Sequence, residues 1–402
     1  MLKKFSLRNY KNFKEDISID FDEIAGYQFS SDCITDGVIS KMLIYGRNAT
    51  GKTNLGKAIM NICATMYHMS GYNNDSNFLN ADSTEDAALF SYTFQFDENE
   101  LIYRYSRYSN QELKDEELII NGLSIFKCDF TNGAYEFGNL SQIEAETANT
   151  ERYIQSLNNE DGDVEAKLPF LRWLMSNVAI SNESVLIQLG NYVQRMLMIT
   201  AGNSTMSYNK RGNESFYESL ENKERLQDLE DFLNAMGIEC KLDLQKLPDG
   251  TRELYFAHNK LISFFENASS GTLALVNLYR RLIARAWDAS FIYLDEFDAF
   301  FHYEMADQVI RFFKRRYPKC QMIMTSHNTN LMTNRLMRPD CLFILSREGN
   351  LTALCNATQR ELREGHNLEK MYNQWGVLKN MNKYTGEVRK RSQNSTDSRR
   401  KS

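Results

Sequence analysis

The first 140 residues alternate between apolar and polar positions in several short runs. The chain opens with the mixed segment 5–13, and Ile17, Ile19 and Phe21 then alternate with polar residues, which predicts a β-hairpin at the start of the chain. The alternation is strongest over 88–96 and 101–108, and it continues to an Asn121-Gly122 pair of the kind found in tight turns. We therefore expect an antiparallel β meander in this part of the chain.

One stretch within these residues has a different pattern. Residues 38–45 form a largely apolar run, which predicts a buried strand, and residues 54–62 carry apolar side chains at helical spacing. The glycine-containing segment 46–53 lies between them. The pattern predicts a strand, a loop and a helix in direct succession.

The middle of the chain is predicted to be mostly helical. Residues 141–165 are polar and acidic, whereas 168–200 and 215–236 have apolar residues at helical spacing. These apolar positions hold no strict heptad repeat, so we do not expect a long coiled coil. The pattern predicts a helical insertion over 141–236.

Beyond residue 237, apolar runs alternate with helical patterns. The runs at 291–296, 320–327 and 341–345 predict strands, and this alternation is typical of a parallel sheet. The predicted fold class is therefore α/β, with a mixed sheet, an antiparallel N-terminal β subdomain and a helical insertion. We expect four segments, the last being a basic, disordered tail: 1–140, 141–236, 237–378 and 379–402.

Composition narrows the class of protein. The 402 residues carry a net charge of −6, which disfavours a basic nucleic-acid binder, although a local basic patch stays possible. No apolar run reaches the length of a membrane span, and the N-terminus lacks the apolar core of a signal peptide. The 7 cysteines include no C-x-x-C pair, so neither a disulfide framework nor a zinc site is indicated. We expect a cytoplasmic protein without a membrane partner.

The loop at 46–53 fits the pattern G-x-x-x-x-G-K-[ST] of a phosphate-binding loop. Gly46 and Gly51 let the backbone curl so that its N–H groups point at phosphate oxygens, and the helix N-terminus adds partial positive charge. Lys52 is expected to reach the β- and γ-phosphates of ATP, and Thr53 to hold Mg²⁺. The alternative is a chance match in an ordinary turn. The predicted nucleotide contacts in this segment are Gly46, Asn48, Gly51, Lys52, Thr53 and Asn54.

Two adjacent acids follow a later apolar run. Asp295 is predicted to hold Mg²⁺ through water, and Glu296 to polarise the water that attacks the nucleotide. The alternative is a solvated acidic turn after a strand. The long separation between Lys52 and Asp295 implies a large insertion between the two motifs.

Two further polar sites accompany these motifs. His327 follows a predicted strand, where it is expected to contact the γ-phosphate, although a lone histidine is more often structural or exposed. Ser269 and Gly271 lie at a predicted helix start, a second geometry that binds anions. The alternative for Ser269 is a simple helix N-cap.

Taken in order, these motifs resemble those of the ATP-binding-cassette ATPases. The version here is most similar to the soluble branch: structural-maintenance-of-chromosomes (SMC) heads, RecF and the overcoming-lysogenization-defect ATPases. The resemblance covers roughly residues 1–140 and 236–350, and it rests on segments 7–13, 46–53, 268–272, 295–298 with His302, and 326–328. It implies an ATPase head in which two subunits sandwich two ATP molecules, with Ser269 and Gly271 of one subunit touching the γ-phosphate bound to the other.

The sequence also departs from this family. Ser270 stands where glycine is usual, and Thr272 where Gln or Glu is common. The glutamine that links the two lobes has two candidates, Gln95 and Gln111. We expect neither a zinc hook nor a C-terminal nuclease domain, because no acidic cluster indicates one. The nearest resemblance is to stand-alone ATPase subunits of bacterial anti-phage defence systems, which implies a homodimer or higher homo-oligomer and a separate nuclease or toxin partner.

Three functions are compatible with these patterns. The first is an ATP-hydrolysing switch that controls an effector. The second is a DNA-repair or chromosome-maintenance ATPase that binds DNA directly, through Arg280-Arg281, residues 314–316 or the tail. The third is the ATPase subunit of a membrane transporter, which the aromatic hairpin and the RecF-like opening disfavour.

Overall fold

The computed structural model describes residues 1–67, 77–157, 167–200, 214–285, 288–357 and 362–372. The predicted disordered tail at 379–402 lies outside these residues. In chain order, the described strands are β1 (Leu2–Arg8), β2 (Ile17–Asp20), β3 (Ile34–Thr35), β4 (Val38–Ile39), β5 (Lys41–Tyr45), β6 (Ala88–Phe96), β7 (Asn99–Arg107), β8 (Leu113–Ile120), β9 (Leu123–Asp129), β10 (Ala134–Glu136), β11 (Met196–Thr200), β12 (Leu242–Lys246), β13 (Arg252–Ala257), β14 (Leu261–Ser263), β15 (Phe291–Asp295), β16 (Gln321–Ser326), β17 (Leu342–Leu345) and β18 (Leu351–Ala353).

The described helices complete the list of elements. They are α1 (Lys52–Ile59), α2 (Asn61–Tyr67), α3 (Thr150–Leu157), α4 (Phe170–Asn177), α5 (Val185–Gln194), α6 (Glu214–Leu220), α7 (Lys223–Ala235), α8 (Phe264–Asn267), α9 (Ser270–Arg285), α10 (Tyr303–Arg316) and α11 (Leu354–Ala357). None of the helices in these ranges is both long and apolar enough to cross a membrane.

A mixed six-stranded sheet forms the centre of the fold, in the order β11-β15-β16-β5-β17-β18. The pairs from β11 to β17 are parallel, and β18 is antiparallel to β17. Every residue of β5, β15 and β16 is buried, which explains why these strands are continuous apolar runs rather than alternating ones. Because β15, β16 and β5 are parallel neighbours, the loops at their carboxyl ends meet at one edge of the sheet.

The second large sheet is antiparallel and has the order β10-β9-β8-β7-β6-β1-β2. It confirms the predicted meander, including the turn at Asn121 and Gly122, which both have positive φ. Its buried face is lined with aromatic rings and supports the helices after the glycine loop, since the Tyr92 hydroxyl donates to the carbonyl of Ala58 at 2.8 Å. Together the two sheets confirm the predicted α/β class with a mixed sheet and an antiparallel N-terminal sheet.

The middle of the chain differs from the helical expectation in one respect. Residues 170–177 and 185–194 are helical as expected, but Met196–Thr200 is a strand, so the prediction of helix up to residue 200 is wrong at its end. A short apolar run fits a helix or a strand equally well, and here the parallel register Met196↔Phe291 gives its backbone a ladder partner. The predicted insertion therefore returns to the central sheet as its edge strand.

The amphipathic segment at 215–236 is also divided. The structure has two helices there, α6 and α7, instead of the single predicted helix. Asn222 provides the break, because its side-chain oxygen accepts the N–H of Glu224 at 2.9 Å and caps α7. The spacing of apolar residues alone does not reveal a capping residue inside such a segment, so it predicted one continuous helix.

Candidate functional site

The glycine loop runs from the end of β5 to the start of α1. Ala49 and Gly51 have positive φ values of 64° and 100°, and Lys52 is the first residue of the helix. A Cβ atom on Gly46 would lie 2.5 Å from Thr50 Oγ1, and one on Gly51 would lie 2.1 Å from Asn12 Nδ2. Close packing therefore requires glycine at both positions, and the positive φ adds a backbone requirement at Gly51.

Asn12 holds this loop from the turn between β1 and β2. Its Nδ2 donates to the carbonyl of Thr50 at 3.1 Å, and its Oδ1 accepts from Asn54 Nδ2 at 2.8 Å. Asn54, which the sequence placed among the nucleotide contacts, uses its amide to position the loop in this structure. Asn48 lies on the exposed part of the loop.

Lys52 is buried at the centre of the site and is 4% exposed. Its Nζ donates to the carbonyls of Gly46 at 2.8 Å and Arg47 at 3.2 Å, and it lies 3.9 Å from Glu296 Oε1. Burial lowers the pKa of Lys52, while the charges of Glu296 and Asp295 raise it. The ammonium group therefore lies between the loop and the acidic strand end, where an anionic group would be attracted to it.

The Asp295 carboxylate connects the loop to two strands. Its Oδ2 accepts from Thr53 Oγ1 at 2.6 Å, and its Oδ1 accepts from Thr325 Oγ1 at 2.9 Å. Burial raises the pKa of Asp295, and the hydrogen bonds from Thr53 and Thr325 lower it. A hydroxyl and a carboxylate oxygen so close together are the hard ligands that Mg²⁺ prefers, so this pair fits the predicted metal site.

Glu296 directs its side chain differently from Asp295. It adopts a positive φ of 48°, and its N–H donates to Thr325 Oγ1 at 2.8 Å. A non-glycine residue in this conformation is strained by roughly 1–2 kcal/mol. The bend turns the carboxylate out of the strand, where it is 41% exposed and near Lys52. A carboxylate placed in this way can accept a proton from a water molecule at the same edge.

His327 lies at the same edge, immediately after β16, and is exposed. The residue before it, Ser326, donates to Asp298 Oδ2 at 2.7 Å and accepts the N–H of Asn328 at 2.8 Å. Burial raises the pKa of Asp298, and the hydrogen bond from Ser326 lowers it. The loop after β15 and the loop that carries His327 are thus bonded to each other.

Ser269 and Gly271 form a separate surface at the start of α9. Ser269 Oγ accepts the N–H of Thr272 at 3.1 Å, which is the geometry of an N-cap, and Ser269 is exposed. A Cβ atom on Gly271 would lie 3.3 Å from the carbonyl oxygen of Phe300. Within the described ranges, the side-chain hydrogen bonds of Ser269 go to Thr272 rather than to the glycine loop of the same chain.

Two residues that sequence reasoning missed hold the site together. Thr325 joins Asp295 and the backbone of Glu296, as described above. The Tyr293 hydroxyl donates to the carbonyl of Lys52 at 2.5 Å. The Tyr293 ring also packs against Gly56, where an added Cβ atom would lie 2.5 Å from Cε1 of the ring. Both lie within largely apolar strands, and the hydroxyl of each side chain is the one feature of the sequence that could have indicated a polar contact there.

The candidate lobe-linking glutamines lie at turns of the antiparallel sheet. Gln95 donates from Nε2 to the carbonyl of Asp97 at 2.7 Å, at the turn between β6 and β7. Gln111 lies in the turn between β7 and β8 and donates its N–H to Ser109 Oγ at 3.2 Å. Both contacts are local, so the identity of the lobe-linking glutamine stays a prediction.

The basic segment at 314–316 has one buried residue, Lys314, and two exposed ones, Arg315 and Arg316. Lys314 is 7% exposed, and its Nζ donates to Asp32 Oδ1 at 2.9 Å and to the carbonyl of Leu336. Arg316 donates to Asp228 Oδ1 at 3.4 Å. Lys314 is therefore not available to phosphate groups of DNA, whereas Arg315 and Arg316 remain at the surface.

Part of the chain matches a known protein family. Residues 198–333 match the family model described as "AAA domain, putative AbiEii toxin, Type IV TA system". This region contains Ser269, Gly271, Asp295, Glu296 and His327, and the glycine loop at 46–53 lies outside it. The match confirms the predicted resemblance to ATPases for this part of the chain.

Three solved structures are similar to the chain over most of its length. The SMC head bound to the C-winged helix domain of ScpA has 14% identity and a TM-score of 0.44, and the match covers 87% of this chain and 96% of that chain. The SMC head domain from Thermotoga maritima has 15% identity and a TM-score of 0.42, with coverages of 85% and 94%. An SMC head domain with an extended coiled coil bound to the C-terminal domain of ScpA, derived from Pyrococcus furiosus, has 14% identity and a TM-score of 0.40, with coverages of 88% and 95%. A comparison with curated proteins found no match. The fold assignment rests on the strand order given above.

Proposed function

We propose that this chain binds ATP with Mg²⁺ at the glycine loop, hydrolyses it, and acts as the switch subunit of a larger assembly. The observation that carries the proposal is the bonded group formed by Thr53, Asp295, Thr325 and Glu296. It places a predicted metal-binding pair and a more exposed carboxylate beside the buried ammonium of Lys52. These are the parts that phosphoryl transfer to water requires.

Each side chain has one task in this proposal. Lys52 and the loop amides would bind the phosphates, and Thr53 and Asp295 would hold Mg²⁺, which would neutralise phosphate charge. Glu296 orients a water molecule and accepts its proton. His327 lies at the end of the neighbouring strand and contacts the γ-phosphate.

The switch part of the proposal rests on the second surface. Ser269 is exposed at the start of α9, and among the described residues it bonds Thr272 instead of the glycine loop. A second copy of the chain could present this helix start to the γ-phosphate, because helix N-termini attract anions. ATP would then close a homodimer, and hydrolysis would open it.

The family description gives the proposed biological setting. The matching family is described as a putative toxin of a type IV toxin–antitoxin system. This description suggests a toxin–antitoxin setting for the proposed switch. The separate nuclease or toxin partner is carried over from the resemblance to ATPase subunits of anti-phage defence systems. Direct binding of DNA is the second candidate; among its proposed contacts, Lys314 is buried and paired with Asp32 of the same chain.

The test is the native mass of the Glu296→Gln variant with and without Mg²⁺ and ATP, purified together with its neighbouring gene products. The neutral amide can orient water but cannot accept its proton, so we expect bound ATP and a trapped dimer. Lys52→Ala is the control, and we expect its native mass to be the same with and without ATP. A Glu296→Gln variant whose mass does not respond to ATP contradicts the switch.

A further inference from the structure

The loop that follows His327 is bonded to a distant part of the chain. Thr329 begins a 3-10 turn, Thr329–Leu331, which Asn328 caps by accepting the N–H of Asn330 at 3.1 Å. Thr329 Oγ1 also donates to Glu369 Oε1 at 2.6 Å, across a sequence separation of 40 residues. The turn next to His327 is therefore held by Asn328 at its start and by Glu369 from a distant part of the chain.

Glu369 belongs to the segment 362–372, which is itself anchored to the fold. Leu362 and Leu368 are each 1% exposed. Asn334, which is 6% exposed, donates from Nδ2 to the carbonyls of Arg363, Glu364 and His366 at 3.0, 2.8 and 3.3 Å. These contacts anchor the backbone of the segment that carries Glu369, and Leu368, the residue before it, is buried.

The same segment also lies near the strand that leads into the glycine loop. Tyr45 is the last residue of β5, directly before Gly46, and is 1% exposed. Burial raises the pKa of Tyr45, and the negative charges of Asp298 and Glu369 raise it further. Glu369 therefore bonds the His327 loop, and its carboxylate lies close enough to Tyr45 for its charge to raise the pKa of that hydroxyl.

We propose that Glu369 is a positioning residue for hydrolysis, which holds the His327 loop through Thr329. This inference rests on the proposed ATPase function and goes beyond it, since Glu369 touches neither the glycine loop nor the acids at the end of β15 in the contacts described. The hydrogen bond joins a hydroxyl to a charged acceptor, a strong class of hydrogen bond. Its loss lets the turn at 329–331 shift and moves His327 with it.

The experiment is a double-mutant cycle on ATP hydrolysis in the full chain. Glu369→Ala and Thr329→Val are each expected to lower kcat about tenfold with KM for ATP changed less than about threefold, because a small misplacement affects the transition state more than binding. The double variant is expected to be no worse than either single variant. Additive losses, or equal effects on kcat and KM, would overturn the proposal.

Conservative variants separate positioning from a general structural role. Glu369→Gln keeps an acceptor oxygen and Thr329→Ser keeps a hydroxyl, so both are expected to retain most of the activity. Glu364→Ala is the matched control, because Glu364 is exposed on the same segment and bonds Asn334 only through its backbone carbonyl. Loss of activity in this control would assign the effect to the segment rather than to Glu369.

Amide hydrogen exchange tests the positioning role of Glu369 independently of ATP hydrolysis. Amide hydrogen exchange over 327–331 is expected to be about tenfold faster in Glu369→Ala and unchanged in Glu364→Ala, whether or not the protein hydrolyses ATP. Unchanged exchange in Glu369→Ala refutes the positioning role. Faster exchange in a protein that does not hydrolyse ATP would support the contact and contradict the proposed function.

Discussion

Replacing Thr325 by valine removes one hydroxyl that serves two partners. Thr325 is fully buried, donates to Asp295 Oδ1 at 2.9 Å and accepts the N–H of Glu296 at 2.8 Å. Valine has nearly the same shape, so the change removes the hydrogen bonds while leaving the packing of the strand in place. The variant therefore isolates the role of this hydroxyl.

The expected losses follow from these two bonds. Leaving a buried polar group without its partner costs about 1–3 kcal/mol, so we expect the free energy of unfolding to fall by about 2–4 kcal/mol. Glu296 also loses the contact that fixes its strained backbone, and a displaced catalytic group can cost about 100-fold in rate. We expect kcat to fall by about that factor, while ATP affinity changes less than about threefold, because Thr325 does not contact the glycine loop in the described structure.

Steady-state hydrolysis, equilibrium ATP binding and denaturant unfolding would be measured on the same preparations. Thr325→Ser is the matched control, since it keeps the hydroxyl, and its rate is expected to stay near the wild-type value. A Thr325→Val variant that hydrolyses ATP at the wild-type rate would refute the assigned arrangement of Asp295 and Glu296. A loss of ATP affinity equal to the loss of rate would instead indicate a general collapse of the site.

Three further predictions concern the loop, its helix and a buried acid. Lys52→Ala should lower ATP affinity at least tenfold in equilibrium binding, because it removes the cation that faces the phosphates; normal binding would exclude the phosphate-loop assignment. Gly56→Ala should lower the free energy of unfolding by about 1–3 kcal/mol in denaturant titrations, because the new Cβ would lie 2.5 Å from the Tyr293 ring; an unchanged midpoint would show that the contact relaxes. Burial raises the pKa of Glu116 from 4.5 to about 7, so its contribution to stability is greatest below pH 4.5 and is lost as the pH rises to about 7. Over that window we expect on the order of 3 kcal/mol of pH dependence, which Glu116→Gln should abolish in unfolding titrations; a variant with the wild-type pH profile would contradict this assignment.

The sequence predicted the parts of the fold that local patterns determine. Alternation located the antiparallel meander, and the buried apolar runs located β5, β15 and β16, because a strand covered on both faces has no polar side. The strand at 196–200 was missed, since its apolar residues fit a helix equally well and its partner, β15, lies almost one hundred residues later in the chain. For an apolar run that fits both a helix and a strand, the pairing with a distant partner decides which of the two forms.

The same distinction applies to the candidate site. Glycine and lysine in a fixed spacing predicted the loop, and the acids after a strand predicted Asp295 and Glu296. Thr325 and Glu369 had no such signal, because each acts through a contact made in three dimensions, and Glu369 is separated from Thr329 by 40 residues. Residues that position catalytic groups are therefore recognised from the structure more readily than from the sequence.

Single-turnover hydrolysis of ATP by the wild-type chain and by Glu296→Gln tests the central claim most directly, with bound nucleotide measured in the same samples. The account predicts that both proteins bind ATP with Mg²⁺ and that the variant converts it to ADP at least 100-fold more slowly, since a lost general base costs about 10²–10⁴ in rate. Equal rates in the two proteins, or an absence of ATP binding in the wild-type chain, would contradict the assignment of this edge of the central sheet as an ATPase site.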